Sequence, residues 1–212
     1  YQKIYPYNDT IFFITQATHM SGMGIHSRYP IIRRERIDYP SNANGSVAWY
    51  LQIGSDTVLV INNHLETTHL SSQERSRYED MIRGKVARDT VKEESKALLS
   101  KLGHSNALRA KGADAVHRYI EAHRQYPMIV LGDFNDNPIS YSRHAIGKGL
   151  TDCFAETGRG PGLSYNRKRY YFRIDHILCS EHFTPYNCRI DNEIDASDHY
   201  PIYCWLKFVH KP

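Results

Sequence analysis

The chain has 212 residues, of which 41% are hydrophobic, and a formal net charge of +4 with its 12 histidines neutral. This length and composition predict one globular domain with a sizeable core, and we see no repeat, low-complexity linker or second domain. No apolar stretch is long enough to cross a membrane, and no signal peptide is visible. The mildly basic charge suits an anionic partner but does not require one.

Strand-like segments dominate the first part of the chain. Residues 11–14 and 47–53 have the apolar and aromatic content of strands, with polar turn residues between them. Residues 58–61, Val-Leu-Val-Ile, form a short and wholly apolar run. Such a run predicts a central strand that is covered on both of its faces.

A helical region follows these strands. Ser71 and Glu74 form a capping box, which predicts the start of a long charged helix that Gly103 ends. We expect residues 71–103 to be a solvated helical insertion. A second helix is predicted from Ser105, because apolar residues recur on one of its faces. These residues are Leu108, Ala115, Val116, Tyr119 and Ile120.

Strands return in the last part of the chain, at residues 128–131, 170–179 and 200–208. The order of the elements predicts a single α/β domain over residues 1–212, in which strands outnumber helices.

The four cysteines, Cys153, Cys179, Cys188 and Cys204, lie far apart in the sequence and include no Cys-x-x-Cys pair. This spacing argues against a zinc site. Two of them lie in strand-like runs, where cysteine behaves as a small buried hydrophobic residue. Disulfides remain an alternative in an exported protein, so the sequence leaves both the redox state and the compartment open.

Groups able to do chemistry accompany four of the predicted strands. They lie in the segments at residues 62–66, 132–135, 174–176 and 197–199. Taken alone, His64 can be a hydrogen-bonded histidine at a strand end, and Asp198 can be a turn or cap residue. Four clusters in one chain favour an active site, because α/β proteins place catalytic groups at strand ends, on a rigid support.

The motifs that these clusters form, NNHLE, GDFNDNP, RIDHIL and SDHYPI in this order, resemble the endonuclease/exonuclease/phosphatase superfamily, also described as DNase I-like. GIHSRYPII, at residues 24–32, is similar to a further segment of that superfamily. The resemblance runs from about Gly24 to Trp205. It implies a two-sheet β-sandwich flanked by helices. It also implies hydrolysis of a phosphoric ester bond by in-line attack of water, with Mg²⁺ (or Mn²⁺) as cofactor.

The resemblance assigns proton transfer to two residues. His199 would be the general base that takes a proton from the attacking water. Asp175 would bind the far ring nitrogen of His199, which fixes the tautomer and raises the basicity of the imidazole. His64 would donate a hydrogen bond to a phosphoryl oxygen as negative charge develops there.

The resemblance also indicates where a cation would bind. Hard cations prefer oxygen ligands, so the carboxylates of Asp133 and Asp198 are the candidate metal ligands. Asp133 would act with Asn135 to orient the water and the phosphate. We assign the adjoining Asp136 and Asn137 to the turn.

The chain departs from the superfamily at its start. Members carry an asparagine on the first strand and a metal-binding glutamate, typically in a Gln-Glu pair, upstream of the segment that matches residues 24–32. Gln73-Glu74 is the only Gln-Glu pair here, and it belongs to the capping box. Glu66 is near enough in sequence to be a substitute ligand, although a surface role is favoured.

We therefore expect an upstream segment of the same protein. Without it, one or more N-terminal strands would be missing and a sheet edge exposed. By itself, the chain would then be weakly active or inactive.

Asn63, Arg169 and Tyr171 are the candidate substrate-binding residues. In the segment RKRYYF (167–172), bases can contact phosphates and rings can stack on a base or sugar. A polar hairpin turn followed by buried aromatic residues explains this segment equally well. We expect Arg109 at a helix surface or in a structural ion pair.

The predicted partner is a phosphorylated substrate, with nucleic acid slightly favoured by the basic charge. DNA, RNA, inositol phosphates and phospholipids all stay open. The alternative to an enzyme is a weak or inactive module that retains the fold and binds nucleic acid or another phosphoryl ligand.

Overall fold

The computed structural model describes residues 3–16, 19–41, 43–68, 70–71, 73–74, 76, 80, 88–166 and 172–209. The strands are β1 (Tyr7–Gln16), β2 (His19–Ser27), β3 (Ile31–Ile37), β4 (Gly45–Ile53), β5 (Asp56–His64), β6 (Met128–Asp133), β7 (Thr151–Asp152), β8 (Asp175–Cys179), β9 (Phe183–Ile190) and β10 (Ile202–Phe208). The longer helices are α1 (Arg88–Ala122), α2 (Tyr141–Gly147) and α3 (Cys153–Thr157). In this part of the chain, no helix combines the length and the apolar character needed to span a bilayer.

A six-stranded sheet forms the centre of the molecule, with the strand order β3-β4-β5-β6-β8-β7. β5 and β6 run parallel, whereas the other neighbouring pairs are antiparallel. The connection between β5 and β6 contains α1, as a parallel pair requires a long crossover. The register pairs His64 with Asp133 at the carboxyl ends of these two strands.

The apolar run of β5 is covered on both faces, as its sequence predicts. Leu59 and Ile61 pack with Ile120 of α1 in the core on the helical side of the sheet. Val58 and Val60 belong to a second core cluster on the opposite side. Fully burying an aliphatic side chain stabilises the fold by roughly 1.5–3 kcal/mol, so β5 anchors both layers.

Two hairpins cover the second face of the central sheet. The β1–β2 hairpin packs beside Trp49, and the β9–β10 hairpin packs over the cluster that contains Val58 and Val60. Within the described ranges these hairpins are two separate two-stranded sheets. The predicted fold class, an α/β sandwich with flanking helices, is confirmed.

The helical region differs from its prediction at one point. The capping box is present, because the Ser71 backbone N–H donates to Glu74 and the Glu74 backbone N–H donates to Ser71. Gly103, however, does not end a helix; α1 runs through it without interruption. An interior glycine costs only about 1 kcal/mol relative to alanine, and packing of the helix on both sides of Gly103 outweighs that cost.

Candidate active site

The site is built at one end of the central sheet, where three neighbouring strands begin or end. His64 is the last residue of β5 and pairs in register with Asp133, the last residue of β6. Asp133 in turn pairs in register with Asp175, the first residue of β8. The strand pairing therefore brings together three side chains that are far apart in the sequence.

The turn after β6 fixes the orientation of Asp133. Gly132 has a φ of 122°, and a Cβ added there would lie 2.0 Å from the backbone oxygen of Asn63, so the position needs glycine. Asn135 adopts a φ of 49°, a conformation that asparagine tolerates better than most residues. Its backbone N–H donates to Asp133 Oδ1 at 2.7 Å, and its side-chain amide donates to Asp133 Oδ2 at 3.1 Å.

His199 reaches this sheet end from the loop before β10. Its Nδ1 lies 2.8 Å from Asp175 Oδ2, a hydrogen-bond distance. Its Nε2 is turned toward Asp133, 3.9 Å from Oδ2. His64 Nε2 lies 3.7 Å from the same oxygen of Asp133. Two imidazoles thus face one carboxylate, and the second carboxylate holds one of them.

A short extended segment holds the His199 loop in place. Tyr165 forms a β-bridge with His199, and its ring packs edge-on against the imidazole at 5.1 Å. The Ser164 carbonyl accepts from the Tyr200 N–H. The buried Ser164 hydroxyl accepts from the backbone N–H groups of Ile174 and Asp175. One serine therefore links the residues on either side of the Asp175–His199 pair.

Burial sets the charge state of Asp133. Removal from water, followed by the nearby negative charge of Asp175, raises the pKa of Asp133 to about 7. The positive charge of His199 and the hydrogen bond from the Asn135 N–H act in the opposite direction. The groups around Asp133 therefore do not fully compensate its negative charge when it is ionised.

The pKa values of the two histidines are shifted in opposite directions. Burial, the largest effect on each, disfavours the charged imidazole. For His199 the hydrogen bond and charge of Asp175 outweigh burial and raise its pKa. For His64 the positive charge of His199 adds to burial, and its pKa is lowered. The arrangement provides one basic imidazole beside one that stays neutral.

These residues line a cleft of about 760 Å³. Its lining includes four aspartates: Asp133, Asp136, Asp175 and Asp198. It also includes the apolar residues Leu70, Leu102 of α1, Phe172 and Ile174. Among the described lining residues, Arg109 is the only lysine or arginine. Its Nη1 lies 3.5 Å from Asp136 Oδ2 and donates to Asn106 Oδ1, whereas its buried Nη2 has no hydrogen-bond partner within the described part of the chain.

The same sheet end has the donors for a cation. Ligand atoms of Asp133, Asp175 and His199 lie within 4.8 Å of one another. Asp198 lines the cleft but is outside that group. The under-compensated charge of Asp133 and the oxygen-rich lining fit a hard divalent cation better than a soft metal.

With this geometry established, comparison with known proteins decides the family. A model of the endonuclease/exonuclease/phosphatase family matches residues 3–199. The chain belongs to this family. Its members are phosphoric ester hydrolases, so the resemblance predicted from the four motifs is confirmed. In sequence, no curated protein matches the chain.

Solved structures with the same fold include proteins of differing activity. The β toxin of Staphylococcus aureus is 15% identical with a TM-score of 0.64, covering 96% of this chain and 79% of the toxin. A mannosyl-6-phosphatase of Bacteroides thetaiotaomicron is 16% identical with a TM-score of 0.63, covering 98% and 79%. The catalytic domain of human nocturnin is 15% identical with a TM-score of 0.60, covering 95% and 73%. At such identities, the likeness establishes the fold alone.

Most of the family residues predicted from the sequence do meet in the cleft. His64, Asp133, Asn135, Asp175, Asp198 and His199 all line it. Arg169 and Tyr171, predicted to bind substrate, lie outside the described residues. Their roles, and those of the six, stay predictions.

Two polar residues differ from their prediction, and a third matches one of its two predicted alternatives. Asn63 is buried rather than substrate-facing: its side chain accepts from Ser46 Oγ and donates to the Leu131 carbonyl. Glu66 is buried rather than at the surface, and accepts from the hydroxyl of Ser41 at 2.6 Å. Arg109 is buried rather than at a helix surface, but it forms the predicted structural ion pair, with Asp136 at 3.5 Å, and its Nε donates to the Glu66 carbonyl at 2.9 Å.

Two parts of the site were missed by the sequence analysis. Ser164 and Tyr165 lie in a segment without periodicity, and only the β-bridge to His199 reveals their role. Leu102 and Asn106 reach the cleft wall because α1 is continuous there. The wrongly placed helix end at Gly103 concealed that contribution.

Proposed function

We propose that this protein is a divalent-cation-dependent hydrolase of phosphoric esters, in which the Asp175–His199 pair activates water. The observation that carries the proposal is the 2.8 Å contact between His199 Nδ1 and Asp175 Oδ2, with Nε2 turned into the cleft. With Nδ1–H donating to the carboxylate, Nε2 is left unprotonated and can accept a proton.

The electrostatics of the pair support a base. The raised pKa of His199, due to Asp175 acting against burial, makes Nε2 a better proton acceptor than an isolated imidazole. When the proton arrives, the negative charge of Asp175 stabilises the imidazolium that forms. Tyr165 binds the loop that carries His199, and Ser164 binds the start of the strand that carries Asp175, so the two residues hold the pair together.

The neighbouring residues would act on the phosphate group. His64, neutral because its pKa is lowered, can donate one N–H to a phosphoryl oxygen. Asn135 holds Asp133 in a fixed orientation through two hydrogen bonds, and Asp133 is our first candidate ligand for Mg²⁺ or Mn²⁺, followed by Asp198. A bound divalent cation would neutralise charge on the substrate and polarise the phosphoryl oxygens.

The cleft favours a compact phosphorylated group as substrate. Its volume of about 760 Å³ lies within the roughly 300–1,000 Å³ typical of small-molecule sites. Among the described lining residues, four aspartates outnumber the one arginine, a balance that does not attract a long polyanion without a cation. The nucleic acid preference drawn from the chain's charge therefore depends on residues 167–171, outside the described ranges.

The experiment is a turnover assay on the purified chain with Mg²⁺, Mn²⁺ or excess EDTA. Generic nitrophenyl phosphate mono- and diesters come first, followed by DNA, RNA, an inositol phosphate and a phospholipid. We expect weak turnover that EDTA abolishes and that His199→Ala reduces further, by about 10²-fold or to below detection. His144→Ala, an exposed histidine on α2, is the matched control and should keep full activity.

The alternative function gives a different result in the same assay. If a phosphorylated ligand binds with a measurable Kd but none of the substrates turns over with either cation, the protein is a binding module that retains the fold.

A further inference from the structure

The four cysteines, distant in sequence, converge in one place in the fold. Cys153 begins α3, Cys179 ends β8, Cys188 lies in β9 and Cys204 in β10. All four belong to the hydrophobic cluster between the central sheet and the β9–β10 hairpin. All four are free thiols. Cysteines that only fill a hydrophobic core have no need to lie together. These four lie together although they come from four separate elements.

The four cysteines lie side by side in this cluster, and we call them the row. Cys153 Sγ and Cys179 Sγ are 3.7 Å apart. Cys204 packs against the cluster that contains Cys153 and Cys188, and its thiol affects the pKa of both. These neighbours give the order Cys179, Cys153, Cys204, Cys188.

A β-bulge explains why Cys188 and Cys204 are neighbours. The β9–β10 register pairs Tyr203 with Arg189 and Trp205 with Tyr186, so two residues of β9 lie opposite Cys204. Cys188 is one of these two residues. Cross-strand neighbours at this spacing have Cα atoms close enough for a disulfide.

Access to the row is from β10, through Cys204. Cys153, Cys179 and Cys188 are fully buried, whereas Cys204 is partly exposed. Its neighbour Trp205 is 67% exposed, so this stretch of β10 faces solvent on its other side. The Cys204 thiol donates to the backbone carbonyls of Tyr186 at 3.5 Å and Trp205 at 3.4 Å, so the least buried thiol of the four is held in one orientation.

We propose that the four cysteines form an oxidation site that a small-molecule disulfide, such as oxidised glutathione, enters at Cys204. The products are two disulfides, Cys188–Cys204 and Cys153–Cys179. A metal site is the weaker explanation, because no three of these thiols, all within the described residues, lie within 4.8 Å of one another. A tetrathiolate cage is thus not preformed.

Each step is a balanced thiol–disulfide exchange. The Cys204 thiolate attacks oxidised glutathione, forms a mixed disulfide and releases one glutathione thiolate. The Cys188 thiolate attacks the Cys204 sulfur and releases the second. Cys153 can then attack the Cys204 sulfur and release Cys188, and Cys179 attacks Cys153 and releases Cys204. The regenerated Cys188 and Cys204 react with a second glutathione disulfide, which is reduced to two thiols.

The experiment incubates the reduced native chain with oxidised glutathione, traps thiols with an alkylating agent, and maps disulfides by peptide mass spectrometry. We expect both disulfides to form without denaturant. The midpoint of thermal unfolding should rise by on the order of 5–10 °C relative to the reduced chain, because both cross-links restrict the unfolded state.

Two variants test the order of the steps. In Cys204→Ala the entry thiol is absent, so formation of Cys153–Cys179 should slow at least tenfold. In the matched variant Cys188→Ala, Cys153 can still resolve the mixed disulfide, so Cys153–Cys179 should form at nearly the native rate. If Cys204→Ala melts below the reduced native chain, Cys204→Ser replaces it.

Three results would overturn the proposal. The first is four thiols that stay unmodified in the native chain and react only in denaturant, as inert core cysteines would. The second is Cys153–Cys179 formation in Cys204→Ala at the native rate. The third is a Zn²⁺ or Cd²⁺ ion that remains bound through gel filtration and protects all four thiols, which would make the cluster a metal site.

Discussion

His199 has one ring nitrogen bonded to Asp175 and the other directed into the cleft. If Asp175 acts only through His199, the two residues must be strongly non-additive in kcat. We expect His199→Ala to reduce kcat by on the order of 10²–10⁴-fold. Asp175→Asn should cause part of the same loss, and the double variant should be no worse than His199→Ala. A double-mutant cycle on kcat measures this coupling.

The Mg²⁺ concentration that each variant needs for activity is the control for this cycle. Neither substitution should greatly change the Mg²⁺ concentration needed for half-maximal activity, whereas Asp198→Ala should increase it if Asp198 is a ligand. Losses from Asp175→Asn and His199→Ala that simply multiply would mean that the two side chains act independently, and another base would have to be sought.

Single residues were predictable where the sequence carries a motif. The GDFN, IDH and SDH segments indicate Asp133, Asp175 and His199 because they resemble the motifs of the family. Burial of Glu66 and Arg109 was not predictable, since charged side chains are normally exposed unless a partner is present. Their partners lie 25 and 43 residues away, and only the fold brings them close.

At the scale of the elements, the turn at the end of β6 depends on the backbone conformation of Gly132. Gly132→Ala would force a Cβ to 2.0 Å from the Asn63 oxygen at a φ of 122°. We expect a loss of on the order of 3–5 kcal/mol in the free energy of unfolding. Gly54→Ala is the matched control: φ is also positive, but nothing lies within 4 Å. Its loss should be about 1–2 kcal/mol in urea denaturation.

The start of α3 is joined to the Asp175 motif by a buried ion-pair network. Asp152 accepts from Arg173 through both carboxylate oxygens, at 3.0 Å each, and from Arg143 at 2.8 Å. It also caps α3 by accepting from the Phe154 and Ala155 N–H groups. Asp152→Asn keeps the cap but removes the charge, so we expect a loss of about 3–5 kcal/mol in unfolding free energy.

The pH dependence of that loss checks its cause. Burial opposes ionisation of Asp152, but hydrogen bonds from Arg173 and the Ala155 N–H outweigh burial and lower its pKa well below the usual range. A depressed pKa stabilises the fold above the unfolded-state value of about 3.9, and the stabilisation is lost as pH falls through the folded-state value. The gap between native and Asp152→Asn stability should therefore narrow in acid. A gap that is constant with pH would assign the loss to packing.

Element boundaries were less predictable than element types. The apolar run at residues 58–61 and the capping box at Ser71 are local signals, and both are confirmed. The continuity of α1 through Gly103 is a tertiary effect, because Leu98 before the glycine is buried and Ser105 and Arg109 after it donate to the backbone at Thr68 and Glu66. Such packing leaves no trace in local composition.

For the whole molecule, the sequence predicts the layers but not their arrangement. Strand alternation and the motifs together indicate an α/β sandwich. They do not show that the second layer consists, in the described ranges, of two separate hairpins, or that the four cysteines meet beneath one of them. Both depend on pairings between distant strands, which periodicity within a single strand cannot specify.

Cation binding should raise the thermal stability of the whole molecule, whether or not the protein turns over a substrate. A ligand that binds the folded state alone stabilises it by about 2.7 kcal/mol at one hundred times its Kd. For a chain of this length, saturating Mg²⁺ should raise the midpoint of thermal unfolding by on the order of 5–10 °C. Asp133→Asn should abolish most of that shift, whereas Asp56→Asn, at the exposed start of β5, should leave it unchanged.

The pH dependence of this shift follows from the charge of Asp133. Burial and the charge of Asp175 raise its pKa to about 7 in the cation-free protein, so protons compete with the cation below that pH. Because the folded-state pKa lies above the unfolded-state value of about 3.9, ionisation of Asp133 costs the cation-free fold stability as pH rises from about 4 to about 7, and a cation relieves this cost. The Mg²⁺-induced shift should therefore be larger above pH 7 than below it. Calorimetric scans with Mg²⁺ and with EDTA at both pH values measure the difference. A shift that persists in Asp133→Asn, or that is equal at both pH values, would place the cation elsewhere in the protein.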